Sequence, residues 1–210
     1  MVRASGPEQL TEGTFLKALK YLYDRDPDLA YVINEYGTPP MWLREPGFST
    51  LVHIILEQQV SLASAQAAFD RLCEAVSPLT PSGFLTLDDA TLKVIGFSRQ
   101  KTHYCRQLSW AIHQRELNLQ ELEKMDNTTA RSELIKISGI GPWTADIYLL
   151  MALRRPDIWP SADLALAVAT QKLKKLLSRP DVDELNEISS PWRPWRAVAA
   201  RVLWHYYLSS

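Results

Sequence analysis

Ile137-Ser138-Gly139-Ile140-Gly141-Pro142-Trp143-Thr144-Ala145-Asp146 is the stretch that decides the fold. Apolar spacing predicts a helix over residues 128–137 before it and another over 142–153 after it. Between them two glycines permit a tight reversal, and Pro142 suits a first helical turn, where a missing N–H costs nothing. Such a hairpin points backbone N–H groups outward at a helix N-terminus, where the dipole favours an anion. Gly139 and Gly141 also remove side chains that would keep a phosphate at a distance. Gly-x-Gly taken alone is more often an ordinary turn between helices, so the surroundings have to decide.

Outward from the hairpin, helical spacing dominates and no long stretch alternates with period two. Helices are expected over 9–23, 29–36, 48–56, 61–76, 87–95, 100–113, 163–177, 182–188 and 194–208. Gly37-Thr38-Pro39-Pro40 ends the second of these. Eight glycines against thirteen prolines in 210 residues suit helices broken by turns, and 46% hydrophobic residues can build a sizeable core. The expected class is all-α, with roughly ten helices.

Composition excludes several functions. The longest apolar run, Ile147 to Leu153, is seven residues, too short to span a membrane. Residues 1–10 lack the apolar core of a secretory signal, so the expected location is intracellular, with no membrane partner. Cys73 and Cys105, 32 residues apart, cannot make a four-cysteine zinc or iron–sulfur site, and a disulfide is not expected in a reducing compartment. His53, His103, His113 and His205 show no metal-ligand spacing. The net charge of −1 argues against a broad electrostatic coating of nucleic acid. The distribution is uneven, however. Residues 91–106 hold Lys93, Arg99, Lys101 and Arg106 with no acid, whereas residues 1–50 hold seven acids against five bases. An anionic partner would meet one face.

The hairpin with its flanks resembles the helix-hairpin-helix DNA glycosylases, in particular the alkylation-repair branch typified by 3-methyladenine DNA glycosylase II. Four blocks carry the resemblance: Ile54-Ile55-Leu56-Glu57-Gln58-Gln59-Val60-Ser61, Ile95 to Lys101, the hairpin through Leu149, and Trp159-Pro160-Ser161-Ala162-Asp163 with Trp195-Arg196 and Trp204 further on. The resemblance implies a single glycosylase unit over residues 1–210, with two all-α lobes and a cleft between them. One lobe covers roughly 47–150 and contains the hairpin; the other covers 1–46 plus 151–210. It also implies duplex DNA as partner, a monomer, no required cofactor, and no iron–sulfur cluster or N-terminal β-domain.

The same resemblance assigns roles. Asp163 matches the essential aspartate, an ionised carboxylate that favours positive charge developing on the sugar. The structural alternative for Asp163 is an N-cap, and the two roles are compatible. Trp143, twenty residues earlier, occupies the site where strand-cutting relatives carry a lysine nucleophile. Indole cannot form an imine, so water is the expected attacking group. Its aromatic face can stack on an electron-poor methylated base, or simply pack in the core. Trp204 matches a second pocket aromatic. Trp195 and Trp204 lie nine residues apart in the expected final helix, about 900° of rotation, so one faces away from the other; the resemblance selects Trp204. Ile147 departs from a tyrosine found in some relatives, and the adjacent Tyr148 is given no pocket role. Gln58 and Gln59 match the position that fills the gap left by an extruded nucleotide, with Gln59 favoured. Gly139, Ile140 and Gly141 with Arg99 and Lys101 are candidate DNA contacts. By family analogy the carbonyls of Ile135, Ile137 and Ile140 can hold an alkali cation.

The expected activity is monofunctional hydrolysis of the N-glycosidic bond of alkylated purines in DNA. Two alternatives stand beside it: a glycosylase for another lesion, such as hypoxanthine or etheno-adenine, and a non-catalytic DNA-binding module that uses the hairpin alone.

Overall fold

Helices begin in this chain where a short polar side chain can accept a free N–H group. Thr11, Asp26, Ser61, Thr80, Asp88, Ser98, Asn118, Asp126, Asp163 and Asp181 each cap a helix with a side-chain oxygen. The structure, a computed structural model, describes residues 8–210; the first seven, part of the expected second lobe, lie outside the described residues. In chain order the helices are α1 (Glu12–Tyr23), α2 (Pro27–Tyr36), α3 (Phe48–Glu57), α4 (Leu62–Ala75), α5 (Pro81–Leu85), α6 (Asp89–Ile95), α7 (Arg99–His113), α8 (Leu119–Leu122), α9 (Asn127–Ile135), α10 (Pro142–Met151), α11 (Leu164–Leu173), α12 (Val182–Ser189) and α13 (Arg196–Ser209), with a 3₁₀ turn at Ser190–Trp192. The fold is all-α, and no strand occurs among the described residues. No helix among them is long and apolar enough to cross a membrane.

Three expectations need correction. Helices α5 and α8 were not anticipated, because five and four residues are too few to display a helical period. The segment expected as one helix over 163–177 ends at Leu173; Lys174 is its C-cap and Lys175 turns to a φ of +53°. Trp195 is the N-cap residue of α13 rather than part of the helix, so the rotation argument does not relate it to Trp204.

The chain divides into two compact units, one spanning Arg44–Tyr148 and the other Glu8–Leu43 with Leu149–Ser210. Helix α10 carries the chain from one to the other. In the first unit α3 is the central rod, with Phe48, Leu51, Val52, Ile54, Ile55 and Leu56 all buried. Each of these fully buried Leu or Ile side chains contributes about 1.5–3 kcal/mol relative to exposure. Helices α4 and α7 pack on α3, α4 through the small stripe Ala65, Ala68 and Leu72. The rings of Phe48, Phe84 and Phe97 form a chain of edge and tilted contacts beside them.

In the second unit the central rod is α13, which packs against α1, α2 and α11. Every residue from Ala197 to Trp204 is buried. That includes Arg201, an isolated charge in an otherwise apolar run. At the other end of α2, the Asp26 carboxylate accepts the N–H groups of Asp28 and Leu29, the Trp192 indole N–H at 2.8 Å and the Lys174 amine at 3.3 Å. One side chain thereby ties α2, α11 and the 3₁₀ turn together.

Candidate active site

The hairpin lies in the first unit. Helix α9 ends at Ile135, the Ile137 N–H bonds back to the Leu134 carbonyl at 3.1 Å, and the Ile140 N–H bonds to the Ile137 carbonyl at 3.0 Å, closing the reversal. The two glycines serve different ends. Gly139 has a φ of +91°, and a Cβ there would collide with the ring of Tyr104. Its glycine is therefore demanded by backbone rotation, as the expected tight reversal requires, and also by packing against Tyr104. A Cβ at Gly141 would meet nothing, and the residue is exposed.

This difference gives a clean experiment. Gly139→Ala is expected to lower the unfolding midpoint, since it adds both strain and a clash. Gly141→Asp is expected to keep the parental midpoint while weakening binding to an abasic-site duplex by about tenfold or more, through lost charge-assisted bonds and added repulsion. Fluorescence anisotropy on labelled duplex reads the affinity, and parental affinity in a folded Gly141→Asp protein would take the hairpin out of phosphate binding.

The two neighbouring glutamines separate sharply. Gln58 caps α3 in an extended conformation, and its Nε2 donates to the Gly139 carbonyl at 2.9 Å and to the Thr144 hydroxyl at 2.8 Å. It thus ties the end of α3 to the hairpin. Gln59 is exposed with a φ of +56°, a left-handed corner just past the end of α3. Lys101 also departs from expectation. Its Nζ donates to the Leu56 carbonyl at 2.6 Å, and burial pushes its pKa down. It caps the C-terminus of α3 from the side. Arg99, the first residue of α7, is exposed.

Trp143 is the second residue of α10 and half-buried. On the same helix Asp146 is buried and takes a two-point ion pair from Arg131, with Nε at 2.7 Å and Nη2 at 3.2 Å. This fastens α9 to α10 on either side of the turn. Tyr148 is fully buried. Its hydroxyl accepts the Gly47 N–H at 3.0 Å, and burial pushes its pKa up to about 12. Its role is to hold the segment entering α3.

Asp163 and Trp204 lie in the second unit and come together there. Asp163 is the N-cap of α11, its Oδ1 accepting the Leu166 N–H at 2.9 Å. The same oxygen accepts the Trp204 indole N–H at 3.1 Å. Carboxylate and indole are both nearly buried, at 9% and 8% exposure, so the anion sits at a helix N-terminus in a water-poor setting where its field is weakly screened. Sequence reading missed a third member of this group. Trp42, half-buried, meets the Trp204 ring edge-on with centroids 6.4 Å apart. A tryptophan just past two prolines carries no periodic signal, and its partner is 162 residues away.

A family model described as HhH-GPD superfamily base excision DNA repair protein matches residues 52–194. The DNA-3-methyladenine glycosylase of Bacillus subtilis is 32% identical over 188 residues, covering 83% of this chain, which in turn spans 59% of that protein's length. The alkylbase DNA glycosidase-like protein mag2 of Schizosaccharomyces pombe is 28% identical over 162 residues, covering 75% of this chain and 76% of its own. Among solved structures, the 3-methyladenine DNA glycosylase Mag1 of the same yeast, in complex with abasic DNA, superposes with a TM-score of 0.82 at 25% identity, over 90% of this chain and 95% of that one.

Proposed function

Since the chain belongs to the HhH-GPD superfamily of base excision DNA repair proteins, we propose that it is a monofunctional DNA N-glycosylase that hydrolyses the N-glycosidic bond of alkylated purines. It acts as a monomer on duplex DNA inside the cell. The single observation that carries the reading is Asp163: a nearly buried carboxylate, fixed by a backbone N–H and an indole N–H on one oxygen, in a chain whose relatives are named for this activity.

The chemistry follows from that group. Alkylation at N3 of adenine or N7 of guanine makes the base cationic, so it departs as a neutral molecule without a general acid. What the protein must supply is support for the positive charge that develops at C1′ as the bond breaks, and a fixed carboxylate supplies it without reorganisation. Water then attacks C1′ and an abasic site remains. The hairpin turn Gly139-Ile140-Gly141, of which Gly141 is exposed, takes a backbone phosphate, with Arg99 as a further cationic contact. Gln59 fills the space vacated by the extruded nucleotide and can hydrogen-bond the orphaned base. Extrusion costs a few kcal/mol and is cheapest for a damaged pair, which gives part of the selectivity. Trp143 and Trp204 offer aromatic surface to the electron-poor base.

The carbonyls of Ile135, Ile137 and Ile140 would hold the alkali cation that the family resemblance implies. The Ile137 oxygen already accepts one N–H within the turn, and a set of neutral oxygens suits a hard ion better than a thiophilic metal. Such an ion would supply rigidity and positive charge near a phosphate.

Incubation with methylated duplex DNA, followed by chromatography of the released bases, tests the reading. Free 3-methyladenine and 7-methylguanine are expected. Release of hypoxanthine alone from deaminated DNA would move the activity to a different lesion, and binding without any release would leave only a DNA-binding module.

A further inference from the structure

Trp42 stands in the connection between α2 and α3, and its φ is +44°. A bulky residue adopts that left-handed backbone only where its surroundings hold it there. What holds it is visible. Arg201, fully buried on α13, donates Nε to the Met41 carbonyl at 2.7 Å, Nη1 to the Ala197 carbonyl at 2.8 Å and Nη2 to the Leu150 carbonyl at 3.0 Å. Burial pushes its pKa down to about 10. A guanidinium buried on peptide carbonyls and a strained tryptophan are both unfavourable on their own. Together they set one half-exposed indole at a fixed place.

That place is one ring away from the Asp163 carboxylate. Three residues beyond Arg201 on α13, the Trp204 ring meets Trp42 at an interplanar angle of 75°, and the Trp204 N–H is donated to Asp163. The two indoles make an aromatic corner, and one of them donates its N–H to the carboxylate. A ring used only for packing needs neither the strained backbone nor the remaining exposure.

We propose that Trp42 is a specificity-determining residue: with Trp204 it forms the corner against which a cationic, N-alkylated purine is held while Asp163 acts at the sugar. The inference rests on the glycosylase reading above. The negative face of an indole attracts a cationic base and gives a neutral one of the same shape no such attraction.

The test compares Trp42→Leu with Trp42→Phe, which share the backbone strain and differ in the presence of a ring. The readouts are single-turnover release of 3-methyladenine from methylated duplex DNA, affinity for an abasic-site duplex, which has no base to hold, and the unfolding midpoint. Trp42→Leu is expected to slow release about tenfold, with Trp42→Phe within about threefold of the parent and the other two readouts unchanged. Parental release by Trp42→Leu would overturn the proposal. A parallel fall in release, abasic-site affinity and midpoint in both variants would also overturn it, making Trp42 a packing residue. If the parent itself releases no methylated base, the glycosylase reading fails and this inference falls with it.

Discussion

Asp163→Asn is expected to give a folded protein that binds abasic-site DNA like the parent and releases alkylated bases at least about 10²–10³-fold more slowly. The substitution is well matched to the geometry. Both the Leu166 N–H and the Trp204 indole N–H land on Oδ1, and an asparagine carbonyl oxygen can accept both, so the cap of α11 and the indole position survive. What disappears is the charge. Alanine would confound the result, since it also removes the cap, at about 1 kcal/mol, and leaves a buried indole N–H without its acceptor. The measurement is single-turnover release from methylated duplex DNA with anisotropy on abasic-site DNA as control. Near-parental release by the asparagine variant would take Asp163 out of the chemistry.

The second large effect is all-or-none. Strand cutting by a glycosylase needs an amine that captures C1′ as an imine and then permits elimination at C3′. By the family resemblance Trp143 matches the position where such an amine would sit, and an indole cannot form the imine. Product strands are therefore expected to run intact on a denaturing gel until treated with alkali, and borohydride present during base release is expected to trap no protein on the DNA. Trapping by the parent, mapped to a lysine by peptide mass, would show that the enzyme is a lyase.

Much of this site could be read along the chain, and the parts that could not share one cause. Asp163 and the hairpin were legible because their signals are local: a cap before an apolar run, and glycines bracketing a turn before a proline. Gly139 was found for an incomplete reason, because the ring of Tyr104 that forbids a Cβ comes from α7, thirty-five residues earlier. The sequence reading favours Gln59 over Gln58 without a structural reason, because the end of α3 is set by the backbone rotations of these two residues. Lys101 reads as a surface cation until its reach to the end of α3 is known. Trp42 and Arg201 were invisible for the same reason. Their roles arise from contacts across 160 residues, and no periodicity encodes those. At the level of fold, α13 can be placed to within about two residues, but its run Ala197–Trp204, buried on every side, has no polar face to say which way it turns.

The fastening of Met41 by Arg201 also governs how the second unit responds to acid. A guanidinium on peptide carbonyls contains nothing that gains or loses a proton on acidification. Its folded pKa of about 10 lies below the ordinary arginine value, so Arg201 is protonated in folded and unfolded chains alike at every lower pH, and its contribution there is flat. The Asp26 knot behaves differently. Burial alone would raise its pKa, but the bonds from Trp192, the Leu29 N–H and Lys174 prevail and hold it below the usual carboxylate range. A carboxylate with a lowered folded pKa stabilises the fold above its unfolded value and loses that stabilisation as pH falls through the folded one. Acid therefore weakens the knot that joins α2, α11 and the 3₁₀ turn, while Arg201 keeps its hold on the Met41 carbonyl.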